Sequence, residues 1–128
     1  ASFDDLSANP NAGDLAVVAE LKERGLVRGY GDFWNANLIT YFGDGELDVL
    51  PVTCNGGTSV PFVWFVDRSR FEDRGRPRSF YIAEDRPDLT ACSGDDATTQ
   101  FGPPIDTFVA GGRTILVFDY DIGERLPR

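Results

Sequence analysis

The apolar positions change period several times along the chain, and each change predicts an element. Leu15, Val18, Leu21 and Leu26 recur at helical spacing, while Glu20, Lys22, Glu23 and Arg24 take the wet side. A helix is therefore expected, capped by Asp14 or Asn11 and stopped by Gly25. Leu26 to Tyr30 reads as a short strand. Asp32 then caps a second helix with Phe33, Trp34, Leu38, Ile39 and Phe42 as its apolar face, although Ile39-Thr40 is β-branched and leaves strand open there. After the turn Gly43-Asp44-Gly45, Leu47, Val49 and Val52 form a strand that Pro51 pushes toward an edge or a bulge. Residues 53–60 read as loop, and Pro61 to Phe71 as a helix begun by its proline, with strand as the alternative. Ser79 to Ala83 is a strand, residues 84–98 an acidic loop, and Phe101-Gly102-Pro103-Pro104 a sharp break. Ile105 to Val109 and Arg113 to Tyr120 close the chain as a hairpin across Ala110-Gly111-Gly112. Alternating helices and strands followed by a hairpin predict an α/β fold. The expected architecture is a single small domain, residues 14–128, with one mixed sheet of four to five strands, helices packed on it, and a polar tail or linker over 1–13.

Composition narrows the function classes. The chain has 128 residues, enough for one core, and a formal net charge of −9. That charge repels phosphate backbones and leaves nucleic acid out as a partner. There is no histidine, which excludes Ser-His and Cys-His catalysis and histidine-ligated metals. No apolar run approaches the roughly 20 residues that span a bilayer. The sequence lacks methionine, as expected of a processed chain or a piece of a longer one. One of its basic residues, Lys22, is lysine and the rest are arginine, a bias ascribed to GC-rich coding. Cys54 and Cys92 lie beside glycine-rich polar stretches and fit one disulfide, which would imply an oxidising compartment; two reduced buried thiols are the alternative.

Most short motifs read as structure. Asp119-Tyr120-Asp121 follows an apolar strand, and a D-x-D of this kind can hold a metal in nucleotide-sugar transferases, but no nucleotide-binding unit precedes it. Asp44, Glu46 and Asp48 lack the spacing of a calcium loop, and Gly29-Tyr30-Gly31 lacks the lysine of a phosphate loop. No catalytic group, metal or cofactor is expected. The aromatic set is more informative: Tyr30, Phe33, Trp34, Tyr41, Phe62 and Trp64 fall within one third of the chain. Such rings fill cores, and they also stack on sugar C–H faces. Trp34 is expected to pack on the sheet with Leu38, Tyr41 and Phe42, and Tyr30 to be the better surface ring. Asp32, Asn35 and Asn37 stand among them, so Tyr30, Asp32, Trp34, Asn35 and Asn37 form the candidate glycan site.

The run from Leu21 to Thr40, with Gly25-Leu26, Gly29-Tyr30-Gly31-Asp32-Phe33-Trp34, Ala36 and Leu38-Ile39-Thr40, resembles the signature G-L-x-x-G-Y-x-x-[YF]-W-x-A. That signature belongs to the soluble C-terminal domain of bacterial, actinobacterial-type polytopic membrane glycosyltransferase-like proteins, akin to dolichyl-phosphate-mannose mannosyltransferases. Val60-Pro61-Phe62 with Trp64, the strand Ser79 to Ala83, Phe101 to Pro104 and Thr114 to Ile122 are similar in order, so the likeness spans roughly residues 15–123. The family's catalytic carboxylate belongs to the membrane part, and no catalytic residue carries over. The resemblance implies an inactive extracytoplasmic domain, tethered to the membrane in the parent protein. Its implied partners are the membrane-embedded part of the same polypeptide and a glycan or lipid-linked sugar. A purely structural or protein-interaction domain, or a free-standing secreted protein, is the alternative.

Overall fold

The computed structural model describes residues 11–62, 68–72, 75–83 and 92–127. Helix α1 (Ala12–Glu23) follows Asn11 at its N-cap, and its chain exits through Arg24 and Gly25, whose φ of 70° only glycine adopts freely. Strand β1 (Arg28–Gly31) leads through Asp32 into α2 (Phe33–Phe42). Strands β2 (Asp48–Asn55) and β3 (Thr58–Pro61) form a hairpin, a 3-10 turn occupies Arg68–Phe71, and β4 (Ser79–Ala83) follows. Helix α3 (Gly94–Phe101), strands β5 (Asp106–Ala110) and β6 (Arg113–Phe118), and a second 3-10 turn (Ile122–Arg125) complete the order.

One sheet of six strands runs β3-β2-β1-β4-β6-β5. Strand β1 lies parallel to β2 and β4, and the other pairings are antiparallel. The fold is thus α/β with a mixed sheet, and it carries one strand more than the sequence predicts. Period two sorts each strand's side chains to opposite faces. Phe80, Ile82, Ile115 and Val117 join Val17, Leu21, Ala36 and Ile39 in the core beneath α1 and α2. Tyr81, Leu116 and Phe118 join Tyr30, Leu50, Ala97, Phe101 and Ile122 in the core of the other face, under α3 and the 3-10 turns. Gly29 fits this packing by having no side chain: the ring of Phe80, in register across β1–β4, stands 2.0 Å from where a Cβ would be.

Several expectations change. The extra strand arises because Gly56 and Gly57, at φ 61° and 87°, make a two-residue turn whose twist suits a hairpin, so residues 53–60 are mostly strand. Strand β2 is interior, and Pro51 is tolerated there because it stands opposite Gly31, the last residue of β1. Pro61 ends β3 instead of beginning a helix; residues 63–67 lie outside the described residues, and 68–71 are a single 3-10 turn. Residues 94–98, expected as acidic loop, belong to helix α3, which runs on to Phe101: Ser93 accepts a hydrogen bond from the Asp96 N–H, and Asp95 and Asp96 suit the helix N-terminus. The rest of that loop, 84–91, lies outside the described residues.

The disulfide is present. Cys54, near the end of β2, is bonded to Cys92, just before α3, with Cα atoms 4.8 Å apart. Gln100 of α3 adds to the attachment by accepting from the Ser59 N–H at 2.7 Å and donating to the Ser59 carbonyl at 3.0 Å.

Candidate functional site

Strand β1 runs into a turn where Asp32 is extended, and its carboxylate accepts the Asn35 N–H at 2.9 Å. That N-cap fixes the rotation of α2. Asn35, Ala36 and Ile39 face inward, and the Asn35 amide oxygen accepts from Arg113 Nε at 3.1 Å. Arg113 also pairs with Asp14 of α1 and donates to the Gly111 carbonyl at 2.9 Å. Asp14, Asn35 and Arg113 therefore tie both helices to the β5–β6 turn. Asp32 lies at the carboxyl end of the parallel strands. The connection from β1 passes over one face as α2, and the path into β4 packs Phe71 on the other. This makes the β1–β4 boundary a topological switch point, the usual ligand position in open α/β sheets.

The candidate residues separate into two groups there. Tyr30, Asp32 and Asn35 are buried, while Trp34 is 63% exposed and Asn37 is exposed. The expected roles of Tyr30 and Trp34 are therefore reversed. Tyr30 is in β1, all of whose residues are buried; for Trp34 the cause is the helix face, where a cap at 32 with small Ala36 against the sheet puts positions 35, 36 and 39 inside. Positions 34, 38 and 41 then fall on the outer side, one above another. Trp34 meets Phe33 edge-on at 5.4 Å between centroids, and Phe33 meets Phe62 edge-on at 5.6 Å. Tyr41, 77% exposed, continues the ridge two turns on, about 10 Å from Trp34 by helical rise.

Tyr30 is held from within. Its hydroxyl donates to Asp121 at 2.7 Å, and that carboxylate also accepts from the N–H groups of Gly123, Gly75 and Arg76. The two acids of Asp119-Tyr120-Asp121 do not share a face. Strand β6 ends at Phe118; Ser79 Oγ then donates to the Tyr120 carbonyl and accepts from the Ile122 N–H, turning Asp121 inward and leaving Asp119 in water. Tyr81 is the second buried phenol. Its oxygen shares a hydrogen bond with Ser59 Oγ at 3.0 Å and accepts from the Cys92 N–H at 2.9 Å. Burial pushes the Tyr81 phenol up, more than those hydrogen bonds lower it, and the Asp32 charge adds to the rise.

Among the described residues, the one grouping of metal-ligand side chains is Cys54, Cys92 and Asp96. Its sulfurs are joined to each other, so it offers a metal only the carboxylate. Sequence reasoning missed a different convergence. Arg28, Arg76 and Arg78 line one cleft at the amino end of β1, and the signal for it in the sequence is arginine at alternate positions 76 and 78. Comparison of the chain with protein-family models, with curated proteins and with solved structures finds no match in any of the three.

Proposed function

We propose that this is a non-catalytic domain that contacts a glycan through the outer face of α2, as the extracytoplasmic C-terminal part of a membrane glycosyltransferase-like protein. The observation that carries the proposal is the exposed Trp34, with Asn37 beside it and Tyr41 two turns along. An indole in water offers a flat apolar face to sugar C–H groups, and an amide offers both a donor and an acceptor to hydroxyls. The spacing of the two rings suits a short oligosaccharide lying along the helix. The Cys54–Cys92 bond supports an oxidising location outside the cytoplasm.

The test is a titration with mannose and glucose oligosaccharides, followed at the Trp34 indole N–H by NMR. A saturable shift that disappears in Tyr41→Ala, whose fold is intact, is expected. A still indole at high sugar overturns the glycan reading. It would favour the alternative the same ridge allows, in which α2 packs against the membrane-embedded part of the same polypeptide.

A further inference from the structure

The geometry points to a second site, on the opposite end of the sheet, for a small organic anion bearing a carboxylate or a phosphate. The chain carries 21 acidic and 12 basic residues, yet arginines converge at one end of the sheet. Four arginines gather where β1 and β2 begin. Arg28, 2% exposed, faces Asp48 across the parallel ladder at 3.4 Å and donates to the Arg70 carbonyl at 3.3 Å. Arg70 closes on the other oxygen of Asp48. One carboxylate thus serves two guanidiniums. Arg76 and Arg78 add two more charges at a cleft of about 330 Å³ whose remaining walls are Gly25, Val27 and Pro77. The Asp121 carboxylate nearby is already engaged by Tyr30 and three backbone N–H groups. Arg78 is exposed and makes no ion pair among the described residues.

This volume lies at the small end of ligand pockets. Its chemistry is two-sided: guanidinium groups that pair in a planar fork with carboxylate or phosphate, and an apolar wall where Val27 is 53% exposed. The fitting ligand is a compact anion on a short apolar body. Carboxylate and phosphate share this recognition, and the probes separate them.

Amide NMR titrations of the whole chain with benzoate and with phenyl phosphate test the proposal, with phenol as the neutral control. Saturable shifts confined to residues 25–28, 76 and 78 are expected for at least one anion and not for phenol, and the tighter anion identifies the group. Arg78→Gln should weaken that anion by about fivefold, the loss of one charge-assisted contact. Val27→Asp, which puts a negative charge on an exposed wall, should abolish it. Three results would overturn the site: neither anion saturates, phenol shifts the same amides equally, or both variants fold and bind as before.

Discussion

A tyrosine hydroxyl inside a core must find a partner, and Tyr30 finds one in Asp121, itself fully buried. Trp34, four residues on, has no such demand because most of its ring is in water. The two aromatics therefore respond oppositely to truncation. Tyr30→Phe keeps the ring and removes one donor from a buried carboxylate, so it should cost about 1–3 kcal/mol. Trp34→Ala should cost less than about 1 kcal/mol, as surface changes do. Urea melts of the two variants check this. A Trp34→Ala loss as large as that of Tyr30→Phe would return Trp34 to the core and remove the ridge on which glycan contact rests. The sequence misplaced Trp34 because hydrophobicity alone cannot orient a helix, and Tyr30 because β1 is buried on both faces and leaves no wet side. The orientation of α2 comes from an Asp32 cap and from Asn35, a polar residue that the Arg113 guanidinium draws inward.

Elements were legible where a single residue forces the backbone. Asp32 starts α2, Gly25 at φ 70° ends α1, and Gly111 and Gly112 at positive φ turn the last hairpin. They were illegible where burial is shared. Helix α3 buries only Ala97 and Phe101, one turn apart, too thin a stripe to stand out among acids. Strand β3 is short, and its glycine turn looked like loop composition. Both weak elements meet at the disulfide, which closes a 38-residue separation. Chain-entropy reasoning gives that cross-link about 4 kcal/mol. Reduction should therefore lower the unfolding midpoint sharply, with α3 and β3 losing amide protection before β1 and β4 do. Hydrogen exchange before and after reduction measures this, and uniform loss across the sheet would mean that the bond does not specifically secure those elements.

For the whole molecule, two cores on two faces of one sheet mean that each face can be loosened separately. Alkaline pH acts on the α3 face. Unfolded tyrosine ionises near pH 10, whereas burial holds the Tyr81 phenol neutral to higher pH. The unfolded chain releases its proton first, so the Tyr81 contribution is intact below about pH 10 and declines as pH rises toward the folded value. Tyr120, half-buried and donating to the Phe101 carbonyl, is shifted the same way by burial. Thermal melts across this window, paired with tyrosinate absorbance, should show a midpoint that falls as pH rises, less steeply in Tyr81→Phe. An equal slope in that variant would assign the alkaline loss to other groups.

The Tyr30–Asp121 contact also sets an order of events during synthesis. Its partners are separated by 91 residues, and β6, made just before Asp121, lies beside β4 in the middle of the sheet. A nascent chain leaving the ribosome can form α1, α2 and the β2–β3 hairpin early, because their contacts are local. It cannot complete the middle of the sheet, or give the Tyr30 hydroxyl its acceptor, until residue 121 has emerged. Until then the open side of β4 exposes unpaired backbone and apolar side chains to whatever is nearby. The last strand made is thus the one that covers the open side of β4.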